Sequence, residues 1–579
     1  MHATCRTSLR HPRRAFAAAA LSLLLLPGAV LLAQKPRGTQ PPGEGQEFFA
    51  DIVSVNVVNV DVYVTDKKGN PVTGLTKNDF ELFEDRKPMA VTNFYAVEGG
   101  KPSAASDPGP ALAPVAGPAG APPAPEPIPE DQRLRLIVYV DNFNIHPFNR
   151  NRVLREMRTF LNQNVTREDR VMLVTYDRSL KVRRTFTSDP ALVAAALGDL
   201  ETVSGHAVHH DSERRDALAR IEESESPSQA MGFARSYAES IANDLNFSID
   251  GLKKTVDMLA GMPGRKAVLY VSDGLPMSAG QELFYAVDQK FGQTGGASLT
   301  EGFRFDASRR FRELASQANA NRITFYTIDA AGLRTYSSIS AENSGGAGQS
   351  IFLDQITMSN MQSPLQYMAA TTGGKAILNA NVVLPHLEKI AHDFQTYYSL
   401  GYSPAHVGDG RYHTIEVKVK RKGLVVRHRE GYRDKSSEAQ MTDGTLAALN
   451  FPYEENPLGI EISFDQPTRK DDGHFLLPIT VRIPLGKLLL IPREQTHDGV
   501  VRLYFAVMDA DGGTSEVQQA RVPIQIPTAE VESARGKHYT YSLTLLMRGG
   551  DHRVAVGARD DVGSESSFIS RVVRVGTGA

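Results

Sequence analysis

Four groups of side chains in this 579-residue chain have types and spacing that could do chemistry. His206, His209 and His210, followed by Asp211, are donors of the kind that hold zinc or copper. Their H-x-x-H-H spacing is not a helical zinc motif, and no H-E-x-x-H occurs, so a solvated loop is expected. Ser403, in Gly401-Tyr402-Ser403-Pro404, stands where a nucleophile elbow holds its serine. That motif needs a second glycine and a following helix, so a turn is expected instead. Asp509-Ala510-Asp511-Gly512-Gly513 matches half a calcium loop without the closing glutamate, which predicts a hairpin turn. The basic run Lys418–Glu430 alternates charge with apolar residues, the pattern of one solvated strand face rather than a nucleic-acid patch. No nucleophile–base pair or phosphate loop emerges, so the chain is read as no enzyme.

Composition narrows the classes further. Cys5 is the only cysteine and falls in the leader, so a mature chain has no disulfide, zinc-thiolate, iron–sulfur or cysteine chemistry. Hydrophobic residues at 41% and charged residues at 22% describe a soluble multidomain protein, not a multi-span membrane protein. A net charge of -2 provides no global pull toward nucleic acid. Residues 1–33 join a basic start (Arg6, Arg10, Arg13, Arg14) to an apolar run ending at Ala33, the form of a cleaved signal peptide. Export to the periplasm or outside is expected by the Sec route, with Tat as the alternative suggested by Arg13-Arg14. Pro12 and Ala17 depart from the Tat pattern. No later segment is apolar enough to span a membrane.

The elements that must position any site change in character along the chain. Residues 51–97 alternate as short strands, and 101–130, holding 10 of the 33 prolines, read as an extended linker. From 134 to 395, apolar strands such as LRLIVYVD and RKAVLYVSDG alternate with amphipathic helices. That pattern predicts a doubly wound, Rossmann-like parallel sheet covered on both faces. Asp141 and Asp273 lie at strand carboxyl ends, where such sheets carry their functional crevice. Residues 277–303 and 333–363 read as long loops over that edge, with a helix near Pro364–Thr371. Residues 396–433 return to strands, expected to complete one sandwich with 51–97. SSEAQMTDG reads as a polar linker, and 451–579 as a C-terminal β-sandwich of immunoglobulin-like size.

The span from about 51 to 434 resembles the von Willebrand factor A-related (VWFA-related) family abundant in acidobacterial genomes. The resemblance rests on VNVVNVDVYVTDKKGNPVTGLTKNDFELFED, LRLIVYVDNFNI, GRKAVLYVSDG, and YYSLGYSP with EVKVKRKGLVVRHREGY. It implies an α/β VWA domain flanked by Ig-like β-sandwich modules, in exported proteins that bind ligands. It also implies a metal-ion-dependent adhesion site (MIDAS), with Asp141 as first acid and Asp273 as second. The two hydroxyl positions hold Phe143 and Ile145, which cannot ligate. Asn142 and Asn144 are out of register but have amide oxygens, and Thr202 or Ser204 is the nearest stand-in for the threonine of the pattern. The site is therefore expected to be degenerate, with Mg²⁺ or another divalent cation bound weakly or not at all.

Together these readings describe an exported, non-enzymatic VWA-type binding or adhesion protein taking protein or cell-envelope ligands. The alternatives are an exported hydrolase with a site assembled from distant residues, and an envelope scaffold. A hydrolase predicts a deep pocket with perturbed carboxylates, and a binding protein a shallow surface above the strand ends.

Overall fold

The computed structural model describes residues 57–103, 133–166, 169–205, 207–292, 297–334, 351–453 and 455–576. The leader at 1–33, most of the 101–130 linker and His206 lie outside the described residues.

Alternating valines build β1 (Val58–Thr65), which turns Val60, Val62 and Val64 into a core. Two hairpins follow: β2 (Phe80–Glu84) with β3 (Lys87–Met89), and β4 (Asn93–Glu98) with β5 (Lys101–Pro102).

The central domain runs β6 (Leu134–Asp141), α1 (Pro147–Asn164), β7 (Arg170–Tyr176), β8 (Leu180–Thr187), α2 (Pro190–Leu200), α3 (Ala207–Glu223) and α4 (Pro227–Met258). It continues with β9 (Arg265–Ser272), α5 (Gln281–Phe291), α6 (Ala297–Gly302), α7 (Ser308–Ala320), β10 (Ile323–Asp329), α8 (Ile351–Thr371), β11 (Ala376–Ile377) and α9 (Leu384–Gln395). The sheet order is β11-β10-β9-β6-β7-β8, parallel except for the edge strand β8. Leu136, Val138 and Val140 of β6 pack with α1, α2 and α9, while Ile137 and Tyr139 pack with α4, α7 and α8. Burial on both faces explains why these strands read as unbroken apolar runs.

Several sequence expectations change here. His209 and His210 stand on α3, not in a loop. The 277–303 segment contains α5 and α6. Helix α8 begins at Ile351 and has Pro364 inside it. Proline lacks the N–H that would reach the Asn360 carbonyl, and the backbone N–H of Met277 donates to that carbonyl at 3.0 Å instead.

The chain then forms β12 (Tyr397–Tyr402), β13 (Tyr412–Val419), β14 (Val425–His428) and β15 (Gly431–Arg433). β1 lies between β12 and β14, β4 pairs with β12, and β13 joins β2 to β15. Two sheets thus enclose a core of Val60, Val62, Leu82, Phe94, Leu400 and Val417. The chain leaves and rejoins this β-domain at adjacent points, since the Gly100 N–H donates to the Gln395 carbonyl at 2.8 Å.

The expected polar linker is a helix, α10 (Ser437–Asn450), with Ser436 as its N-cap. Ala447 packs into the central domain, and Ala448 and Leu449 pack against Ala506 and Ala555 of the C-terminal domain. That last domain has two antiparallel sheets. One is β16 (Glu461–Phe464), β17 (Thr468–Arg469) and β18 (Phe475–Pro484), with β22 (His538–Met547) paired to β18. The other is β19 (Ile491–Pro492), β20 (Thr496–Asp509), β21 (Gln518–Pro527), β23 (Gly550–Asp560) and β24 (Ser566–Val575). Leu477, Ile479 and Val481 meet Leu503, Val554 and Val556 between them. No helix among the described residues is long and apolar enough to cross a membrane.

Candidate functional site

Within the central domain β6 lies mid-sheet, with β7 on one side and β9 on the other. The chain leaves β6 and β9 toward opposite edges, so a crevice opens at their carboxyl ends. Asp141 closes β6, and Asp273 follows Ser272 at the end of β9. Counted along the chain, the six strands lie in the order 3-2-1-4-5-6, with the third antiparallel at the edge. The central domain has the von Willebrand factor A-type α/β fold. β-Sandwich modules flank it.

Among solved structures, the VWA-type chain is 12% identical to an aerotolerance-related membrane protein from Bacteroides fragilis, with 45% of this chain and 98% of that one covered and a TM-score of 0.22. Manganese-loaded TRAP protein of Plasmodium vivax is 10% identical, with 52% and 94% covered and a TM-score of 0.22. Proximal thread matrix protein 1 from the mussel byssus is 11% identical, with 48% and 50% covered and a TM-score of 0.24. The likeness is weak, and the fold rests on the sheet order. No protein-family model and no curated protein matches the chain.

The loop after β6 is pinned from both sides of the VWA sheet. Phe143 is buried in the core shared with α4, and Ile145 in the core under α1 and α2. The positions where the adhesion-site pattern has hydroxyls are thus apolar anchors. Between them Asn144 faces the crevice and ties the two strand ends together. Its carbonyl accepts from the Asp273 N–H at 2.9 Å and from Ser272 Oγ at 3.2 Å. Its amide Nδ2 reaches Asp141 Oδ2 and Ser248 Oγ, each at 2.9 Å.

Both acids are buried, and all four of their oxygens accept internal hydrogen bonds. Asp141 Oδ1 accepts from the Asn144 N–H at 3.1 Å, and Oδ2 also accepts from Tyr270 Oη at 2.6 Å. Asp273 Oδ2 accepts from the His146 N–H at 2.8 Å, while Asn149 Nδ2 donates to both oxygens at 3.0 and 3.1 Å. Burial raises the Asp141 pKa to about 6 against the lowering effect of Tyr270 and Asn144. Burial likewise raises Asp273 to about 6, against His146 and Asn149. A divalent cation needs several oxygens turned toward it, and this donor set does not fit one. Thr202, the stand-in for the threonine of the pattern, donates to the Asp199 carbonyl instead, at 3.0 Å.

Above these acids lies a cleft of about 490 Å³ whose lining includes Asn144, Asn149, His210, Arg214, Asp244 and Arg334. Charges line it in pairs: His210 with Asp244 at 3.5 Å, Arg214 with buried Glu282 at 3.2 Å, and Arg334 with buried Asp329 at 3.1 Å. His146 pairs with Asp211 at 3.0 Å, and that hydrogen bond raises the histidine pKa. Burial lowers the His210 pKa despite Asp244. Arg334 also donates to the Asp273 carbonyl, which ties the end of β9 to that of β10. His209 instead faces solvent, beside Glu213.

Sequence reasoning missed Asp329, Tyr270, Asn149 and Arg334. Asp329 carried a readable signal, since TIDA ends an apolar strand in an acid just as YVD and VSD do. The others reach the site from the interior of a strand, a helix and a loop, where no spacing rule marks them.

Proposed function

We propose that this is an exported, non-enzymatic VWA-type binding protein that takes a protein or cell-envelope ligand on the carboxyl edge of its central sheet. Binding there does not require a divalent cation at Asp141, Asn144 and Asp273. The observation that carries this reading is the open, charge-paired cleft above two carboxylates whose oxygens already accept internal hydrogen bonds. Exposed apolar side chains follow the carboxyl ends of the strands around it: Phe148 after β6, Leu333 after β10 and Val382 after β11. Apolar groups among paired charges suit a protein surface better than a small polar metabolite. His210 is held between Asp244 and the Phe143 ring, 5.0 Å away. The raised pKa values of Asp141 and Asp273 are what a hydrolase would show, but every oxygen of both acids accepts an internal hydrogen bond and neither acid lines the cleft, which favours binding.

The test is photo-cross-linking of the mature chain in a cell-envelope extract, with the probe at Leu333 and a control at exposed Gln518 of the C-terminal domain. A protein adduct at Leu333 alone, persisting in EDTA and lost on Phe148→Asp, is the expected result. Equal labelling at both positions, or loss of the adduct in EDTA, overturns the reading.

A further inference from the structure

The C-terminal sandwich has four lateral edges, and three of them carry the devices that keep a sheet from pairing with another chain. β21 exposes Arg521, Pro523 and Pro527, and a proline has no N–H to give to a ladder. β24 exposes Arg571 and Arg574. The edge opposite β22 in its own sheet is broken into β16 and β17, of four and two residues. β22 has none of these devices. It runs ten residues, HYTYSLTLLM, without proline, lysine, arginine or acid, and it pairs with β18 in one unbroken register. Among the described residues no other strand pairs with it.

The apolar row that β22 turns inward is also left open. Tyr539, Tyr541, Leu543 and Leu545 are half-buried, although each packs on the core of the sandwich. Their neighbours on β18, Leu477, Ile479, Val481 and Ile483, are fully buried, and the inward row of edge strand β21 is buried as well. Helix α10 packs on Ala506 and Ala555 of the other sheet, so β22 lies on the side of the sandwich away from that helix.

We propose that β22 is a docking strand for a second copy of this chain, the two β22 strands pairing antiparallel across a two-fold axis and joining two sandwiches through one continuous sheet. The strand is complementary to itself. Residues opposite each other in an antiparallel pair share a face, so the inward rows meet only if the axis passes a residue rather than the gap between two. Centred on Ser542, the pairing sets Tyr541 against the partner's Leu543 and Tyr539 against the partner's Leu545. On the outer face Ser542 meets the partner's Ser542, Thr540 meets the partner's Thr544, and His538 meets the partner's Leu546. Each half-buried tyrosine thus covers a half-buried leucine, and hydroxyls face hydroxyls, as in stabilising cross-strand pairs. A charge at mid-strand would oppose its own copy, and β22 has none there.

The test uses the full chain with Cys5→Ser, which removes the only thiol. Analytical ultracentrifugation over a concentration series is expected to show a species of twice the chain mass. Ser542→Lys, which opposes two ammonium groups on the axis, should abolish it, and circular dichroism checks that this exposed position leaves the variant folded. Directly opposed residues have Cα atoms about 4.5–5.5 Å apart, within disulfide reach. Ser542→Cys should therefore oxidise to a covalent dimer, whereas Thr540→Cys alone should not. Thr540→Cys combined with Thr544→Cys should cross-link again. If Ser542→Lys does not fold, this cysteine pattern decides. A monomer at every concentration, a dimer that folded Ser542→Lys retains, or equal cross-linking of Thr540→Cys and Ser542→Cys overturns the proposal. So does cross-linking of Ser542→Cys to a different envelope protein and not to itself, which would give the edge to a foreign strand.

Discussion

The phenol of Tyr270 on β9 donates to Oδ2 of Asp141 on β6 at 2.6 Å, so the two central strands are joined at the oxygen a metal would otherwise take. Tyr270→Phe removes this charge-assisted bond and should cost about 1.5–3 kcal/mol of stability. It should also raise the Asp141 pKa further, because a hydrogen bond that opposes burial is lost. Urea denaturation and a carboxyl-carbon NMR titration read the two effects. An unchanged Asp141 titration would mean that the phenol does not govern it.

The same relationship bears on cations. Calorimetry with Mg²⁺ or Mn²⁺ is expected to show no affinity tighter than about 10⁻³ M at the strand-end acids. A micromolar affinity abolished by Asp141→Ala would show that the internal donors yield to a metal, and would reverse this reading of the site.

His428 sets a pH dependence outside both sites. Its Nε2 accepts from the Val417 N–H at 3.1 Å while Nδ1 donates to the Arg429 carbonyl at 2.8 Å, which only the neutral ring with its proton on Nδ1 can do. Burial lowers its pKa from the ordinary 6.5, outweighing the opposite pull of the Arg429 carbonyl. The unfolded chain therefore binds the proton first on acidification. The stability His428 contributes is complete above 6.5 and is lost as pH falls through its folded value. Urea midpoints should drop between pH of about 7.5 and about 5.5, less so in His428→Gln, which keeps one acceptor and one donor. Equal drops in both proteins would assign the acid sensitivity elsewhere.

Among the glycines of the central domain, Gly374 has the tightest backbone neighbour. A Cβ there would lie 1.9 Å from the Phe325 carbonyl oxygen on β10, an atom with no rotamer to escape into. Gly374→Ala should cost on the order of 3 kcal/mol, the upper range for overpacking. Thermal unfolding measures this, and a melting temperature within a degree or two of wild type would contradict it.

What was legible in the sequence was what repeats locally. Strands buried on both faces announce themselves as apolar runs, and the acids at the ends of β6 and β9 are visible as the first acidic residue after each run. Helix α10 was not legible. It buries Met441, Gly444, Thr445, Ala447, Ala448 and Leu449, and with small residues at four of these six positions it leaves only a broken apolar stripe to count. The first half of α8 was hidden for a related reason. Its buried Asn360 is satisfied by the backbone of Ser278, 82 residues earlier, and its proline looks like a boundary.

The sequence by itself determined the α/β character of the middle, the β character of both flanks, and the apolar replacements at 143 and 145 that argue against an adhesion-site cation. Only the tertiary structure decided that Phe143 and Ile145 anchor one loop in two opposite cores, and that Tyr270 and Asn149 occupy the acids. It alone brought Arg334 onto Asp273 and Asp329. Local periodicity reports which face of an element is buried, because it follows from the geometry of one strand or one helix. It holds no information about which distant element covers that face, and a site made of groups from three segments exists only once the sheets have paired.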